Sequence, residues 1–357
     1  MKRTTKVGAA LPSVLVTAAL LTACGEDTPA AGGSCAGSEV TVGITNSSSD
    51  APLYIADEKG YFKDEGLSVK LQPFDSAAKM IAPLGSGQLD VGAGAPSAGF
   101  YNAVGRDLPI RIVADKGSMP EHYGYMPLLV RKDLVDSGKV GEIADLKGRT
   151  VAEPAQATAT SSTLGTMLGS ADLTYDDVKH EYIGFAEHVT AFQNGAIDAA
   201  LTTEPSATVA EERGVAERLA TPPDFYDQQQ LAVLLYSGTF AEEEKAVGTC
   251  FMAAYLRGAR DYMSAFENGK LREGERSDEV VDIVTEAVGL EPALYRKIVP
   301  NYVDPDGQVN VESLRKDYTF FKDQGLLQAD VDVDGIVDSS FATAAVGKLG
   351  EYQQASS

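Results

Sequence analysis

Gly87-Gln88-Leu89-Asp90-Val91-Gly92-Ala93-Gly94-Ala95-Pro96-Ser97-Ala98 is echoed further along by Gly195-Ala196-Ile197-Asp198-Ala199-Ala200-Leu201-Thr202-Thr203-Glu204-Pro205-Ser206-Ala207, with one extra residue in the second copy. In each stretch a glycine suited to ending a helix precedes an aspartate that opens a short apolar strand. Pro-Ser-Ala then starts the next helix, where proline's fixed φ and missing N–H cost little. Glycine, aspartate and proline recur in the same order at nearly constant spacing, which implies two related lobes.

Outward from the repeat, apolar β-rich runs alternate with helical stretches, the pattern of an α/β fold. In the first series strands are expected at 40–45, 68–72, 90–93 and 109–115, with helices at 51–59, 77–84 and 97–104. After Leu146-Lys147-Gly148-Arg149 the second series predicts strands at 150–153, 182–185 and 199–202, and helices at 160–168, 188–193 and 206–213. A strand over 231–236 leads out of the second lobe. The remainder of the chain is mostly helical, over 250–266, 278–288, 292–298, 311–324 and 337–349. That is more helix than one sheet face needs, so it is placed back against the first lobe, and the chain crosses between lobes twice. The expected architecture is therefore two largely parallel sheets flanked by helices. Lobe I comprises 39–122 and 237–357, and lobe II comprises 123–236 with the hinge strands.

The N-terminus reads differently. Lys2, Arg3 and Lys6 precede an apolar stretch over 7–23, the layout of a secretory signal and too short for a membrane span. Leu21-Thr22-Ala23-Cys24 resembles the lipobox of bacterial lipoproteins, in which the cysteine is acylated and becomes the new first residue. This predicts a signal peptide over 1–23, lipidation of Cys24, attachment to the cell membrane at its extracytoplasmic face, and a small, polar tether over 24–38. Of the three cysteines, Cys35 and Cys250 then remain, as a disulfide or as two inert thiols. Removing 1–23 lowers the formal charge from −22 to −25. Such acidity disfavours nucleic acid, whose binding rests on Lys and Arg. An anionic ligand would have to be held by local dipoles or a few placed cations.

In open α/β sheets ligands bind beyond the carboxyl ends of the strands. In the first lobe this rule selects Asn46, Ser47, Ser48, Asp50, Ser76 and Ser97. In the second it selects Thr160, Ser161, Ser162, His188, Thr203 and Glu204. The hydroxyl clusters 47–49 and 158–163 fall where a strand meets a helix, and a helix start can hold a carboxylate, sulfonate or phosphate through its free N–H groups. The same residue types also cap helices, so each has a purely structural alternative. With no tryptophan in the chain, stacking falls to Tyr123, Tyr125 or Phe185. No nucleophile elbow, phosphate loop or metal-binding His-Glu-x-x-His helix is present. Glu187-His188 is the single pair that suggests catalysis, and no cofactor or metal is implied.

Ala51-Pro52-Leu53-Tyr54-Ile55-Ala56-Asp57-Glu58-Lys59-Gly60-Tyr61-Phe62-Lys63-Asp64-Glu65-Gly66-Leu67 closely resembles the opening of ABC-transporter substrate-binding proteins of the nitrate, sulfonate, taurine and thiamine-pyrimidine group. Leu146-Lys147-Gly148-Arg149-Thr150-Val151-Ala152, Glu204-Pro205 and Val337-Asp338-Ser339-Ser340-Phe341 look like its later segments. The resemblance implies the two-lobed periplasmic-binding-protein fold, a monomer that binds a small-molecule solute in the cleft, and delivery to an ABC permease with a cytoplasmic ATPase. A sulfonate, nitrate or aromatic carboxylate is the expected solute, with a pyrimidine as the alternative. The cysteine-rich motif of the group's synthases is missing.

Overall fold

The computed structural model describes residues 35–353. The export segment, Cys24 and most of the tether lie outside the described residues.

Two five-stranded sheets form the two lobes. In the first, β1 (Ser38–Ile44), β2 (Leu67–Pro73), β3 (Val91–Gly94), β4 (Arg111–Met119) and β10 (Gln229–Tyr236) lie in the order β2-β1-β3-β10-β4. In the second, β5 (Leu128–Arg131), β6 (Thr150–Glu153), β7 (Lys179–Tyr182), β8 (Ala199–Leu201) and β9 (Ala216–Ala220) lie in the order β7-β6-β8-β5-β9. The orders are equivalent, and β10 occupies in the first sheet the place that β5 occupies in the second. Each is a strand arriving from the opposite lobe, so it enters against the direction of its neighbours. β10 is antiparallel to β3 and β4, and β5 is antiparallel to β8 and β9. Four strands of each sheet thus run in one direction and the fifth against them, so the sheets are mixed with a parallel majority. The strand expected to lead out of the second lobe is central to the first.

The repeat has a common structural cause. Gly87 and Gly195 both have φ of 69°, a left-handed conformation that glycine adopts without steric cost. Asp90 Oδ2 accepts the N–H of Thr41 at 2.7 Å, and Asp198 Oδ2 accepts the N–H of Thr150 at 3.1 Å. Each aspartate thus ties the start of its own strand to the neighbouring strand, β1 in one lobe and β6 in the other.

Some boundaries move. The strand expected at 182–185 is Lys179–Tyr182, and Phe185 instead opens the helix Phe185–Gln193. β5 and β9 are too short to show alternation in sequence. Residues 35–38, read as tether, belong to the fold: Cys35 is buried and disulfide-bonded to Cys250, their Cα atoms 6.7 Å apart. The C-terminal helices pack on the first lobe. The helix Lys245–Ser264 buries Phe251, Tyr255, Ala259 and Tyr262 on one face and lies against Ala51–Glu58. Gly258 allows this approach, since a Cβ there would stand 2.2 Å from the Pro52 carbonyl oxygen. Among the described residues no helix is long and apolar enough to cross a membrane.

Candidate functional site

The carboxyl ends of the parallel strands in the two lobes face each other across a cavity of about 40 Å³, whereas one water needs roughly 10–15 Å³. The first lobe contributes Thr45, Ser47, Ser49, Ser76 and Lys116 to its wall, and the second contributes Pro154, Thr158, Thr160, Phe185 and Thr203. Tyr125, Leu231 and Ala232 close it beside the crossing segments. The lobes touch on both flanks through main-chain hydrogen bonds. Ser97 and Thr158 form an antiparallel bridge, with Ala98 N donating to Ala157 O at 2.8 Å and Ala159 N to Pro96 O at 3.1 Å. On the other flank Ser48 N donates to Glu204 O at 3.0 Å. The cleft is closed, and several helix-start N–H groups expected to meet a ligand are instead directed to the opposite lobe.

Lys116, which the strand-end rule did not select, is among the described residues the one charged side chain in the cavity lining. It is fully buried, with Nζ 2.7 Å from Asp50 Oδ1 and donating to Ser49 Oγ at 2.8 Å. Asp50 is also buried, behind the wall, and its Oδ2 accepts the N–H groups of Ser47 at 2.9 Å and Thr45 at 3.2 Å. Removing two charges from water costs several kcal/mol each, so such a pair persists only where close geometry and further hydrogen bonds compensate. Here they do. From Ser49 the hydroxyls run to Ser47 at 2.9 Å and on to Thr45 at 3.1 Å. Lys116 can only donate, so it orients this chain: each hydroxyl can pass its proton onward, leaving that of Thr45 for an acceptor in the cavity.

Gly117 follows Lys116 on β4. A Cβ at Gly117 would lie 2.7 Å from the Tyr125 hydroxyl and 3.0 Å from Ser49 Cβ, so glycine lets both groups sit against the strand. Burial, with Asp115 nearby, pushes the Tyr125 phenol well above its ordinary pKa and keeps it a neutral donor. The Thr158 and Thr203 hydroxyls are buried in the wall without a partner among the described residues, whereas that of Tyr125 meets Ser49. Unsatisfied buried polar groups are uncommon and costly, and two around one cavity mark where a ligand's acceptors would sit.

Of the predicted residues, Ser47, Ser76, Thr160 and Thr203 line the cavity. Asp50 and Ser48 stand immediately behind it. Asn46 is exposed at φ 53° and accepts the Tyr54 hydroxyl. Ser97 caps the helix Ala98–Val104 by accepting from Phe100 N. Ser161 Oγ accepts from Thr158 N, and Ser162 is buried in the same helix, Ala159–Gly169. Tyr123 packs edge-on against Tyr302 in a groove behind the crossing strands. Glu204 is buried; its carboxylate accepts from Thr208 N at 2.9 Å and from Arg218 at 3.0 Å within its own lobe, and from Val299 N of the first lobe at 3.3 Å, a structural role that ties the lobes together. Glu187 and His188 serve different purposes. Glu187 accepts from Gly184 N at its helix start, whereas His188 is buried, hydrogen-bonded to Ile183 O and pushed down to a pKa of about 4 by desolvation.

Solved structures share this architecture at low sequence identity. The periplasmic nitrate-binding protein NrtA of Synechocystis PCC 6803 superposes with a TM-score of 0.73 at 14% identity, covering 88% of this chain and 89% of its own. The alkanesulfonate-binding protein SsuA of Xanthomonas axonopodis pv. citri, bound to MOPS, gives 0.68 at 17%, covering 85% and 99%. The desulfurization enzyme DSZB has the same fold at 0.57 and 15%, covering 87% and 99%. A curated relative, a 4-amino-5-hydroxymethyl-2-methylpyrimidine phosphate synthase of Aspergillus parasiticus, is 34% identical over 101 residues, 28% of this chain and 27% of that protein. The chain thus spans about a quarter of that relative's length. The profile described as NMT1/THI5 like matches residues 47–267, more than half of the 357, and includes the serine loop, Lys116, both crossing segments and the whole second sheet; the chain belongs to the NMT1/THI5-like family.

Proposed function

We propose that this protein is the extracytoplasmic receptor of an ABC importer and captures a small anionic organic solute, of the sulfonate, nitrate or aromatic carboxylate class, between its lobes. The observation that carries this reading is Lys116, the one charged group in the lining among the described residues, accompanied by hydroxyl donors that lack a partner there. An anion would complete those hydrogen bonds, and charge-assisted bonds are roughly twice as strong as neutral ones. Closure around the solute is a hinge transition driven by tighter binding to the closed state. The reading includes binding without turnover, a lipid on Cys24 that holds the receptor near its permease and ATPase, and a monomer in solution.

A pyrimidine is the second reading, supported by the 34% identical stretch of the synthase and by the aromatic rings of Phe185 and Tyr125 in the wall. Calorimetric titration of the protein lacking its first 24 residues, against nitrate, methanesulfonate, benzoate and a hydroxymethylpyrimidine, separates the two. Heat from an anion, with the anion recovered unchanged, is the expected result. Binding of the pyrimidine alone would replace the first reading by the second, and no binding or thermal shift from any of the four would overturn both.

A further inference from the structure

The cavity beside Lys116 is small for an organic solute, with room for a few water-sized groups. It does not end there. Ser76 and Pro154 belong both to its wall and to that of a second hollow of about 310 Å³ along the seam between the lobes. These two residues stand between the two hollows, and beyond them the walls change character. The charged groups there are committed: Asp75 and Lys79 pair with each other, and the Glu187 carboxylate accepts from Gly184 N at 3.1 Å. Tyr182 is still available. Among the described residues it is the one large hydrophobic side chain left exposed, at 38%, and it lines the outer hollow. Its ring continues an aromatic row. Tyr175 stacks on His180 with centroids 4.0 Å apart, and His180 lies within 6° of parallel to Tyr182 at 6.1 Å. An exposed ring held in register by two others is a preorganised flat surface, and aromatic pairs favour offset or edge contacts at this range.

We infer that the site has two parts, an inner chamber for an anionic head group and an outer chamber in which Tyr182 supports a planar, unsaturated body, the linker passing between Ser76 and Pro154. The ligand class is thus an anion carried on a short linker from an aromatic ring. The inference rests on the receptor reading above and narrows it.

The test titrates the protein lacking its first 24 residues with methanesulfonate, 2-phenylethanesulfonate and octanesulfonate, the last two having the same number of carbons. The phenyl compound is expected to bind about tenfold more tightly than either alkyl compound, the range of one good aromatic contact. Tyr182→Ala should erase that difference while leaving methanesulfonate affinity within about twofold, and Tyr182→Phe should keep it. Because Tyr182 is partly exposed, these variants are expected to fold, and melting curves check that. Equal affinity for the phenyl and octyl compounds, or a Tyr182→Ala loss shared equally by methanesulfonate, would overturn the two-part site and leave the receptor reading intact. Binding of no sulfonate, nitrate or benzoate would overturn the receptor reading, and this inference with it.

Discussion

The two lobes present the same kind of sequence to the cavity, a hydroxyl-rich turn between strand and helix, yet they use it differently. In the first lobe the hydroxyls of Thr45, Ser47 and Ser49 are joined to one another and to the Lys116–Asp50 pair. In the second, Thr158 and Thr203 keep their hydroxyls unpartnered among the described residues, and Thr160 finds only the Met126 sulfur at 3.6 Å. The first wall is a joined polar network anchored by a buried ion pair, and the second leaves its hydroxyls open to the cavity. A fixed charged wall facing an unsatisfied one suits a cleft that must be ordered when open and gain contacts on closing.

The contrast breaks most severely at Asp50. Asp50→Ala leaves Lys116 buried without its counter-charge and should cost about 3–5 kcal/mol of folding stability, read by urea denaturation. A loss under about 1 kcal/mol would mean that the first wall is not the rigid one. Replacing both partners sharpens the comparison, because neutral substitutes for a buried pair often cost little. Asp50→Asn with Lys116→Gln should recover most of that stability while lowering affinity for whichever anion binds by about tenfold or more, since a charge-assisted hydrogen bond contributes ~1.5–3 kcal/mol. Unchanged anion affinity in this double variant would remove Lys116 from the site.

The second wall should respond in the opposite sense. Thr158→Val and Thr203→Val remove hydroxyls that have no partner among the described residues, so unfolding stability should change by less than about 0.5 kcal/mol. Each should nonetheless weaken ligand binding by roughly 1 kcal/mol, about fivefold. Lost stability with unchanged affinity would show that these threonines act as caps. A further, pH-dependent comparison concerns the contact that carries the helix Val311–Asp323 of the first lobe onto the second. There Asp317 accepts from the Tyr226 hydroxyl at 3.0 Å, while Gln229 joins it to Thr163 and Ala159 O. Desolvation pushes the Asp317 carboxyl up to about 7. As pH rises from about 4, the unfolded chain loses this proton first, so the Asp317 contribution to stability is full below that pH and declines until about 7. Asp317→Asn should therefore flatten the stability profile over that window relative to the parent, which retains the similarly raised Asp115. Parallel profiles would show that Asp317 is not protonated in the fold.

The repeat was legible because its causes are local. A left-handed glycine, an aspartate facing the neighbouring strand and a proline at a helix start are chemical requirements set within a few residues. For the same reason the sequence placed Ser47, Ser76, Thr160 and Thr203 at the cleft. It also determined the two-lobed α/β class. Only the tertiary structure decided the charge at the site. Asp115-Lys116-Gly117 reads as the polar end of a strand. Lys116 becomes the cavity's cation because β4 continues past it alongside β10 and brings it to Ser49, 67 residues away in sequence. It likewise turned Glu204 and His188 inward and spent helix-start N–H groups on the opposite lobe. The direction of the crossing strands was decided at that level too. Helix periodicity and turn chemistry act over a few residues, whereas which lysine meets which carboxylate depends on strand order and on how two lobes close.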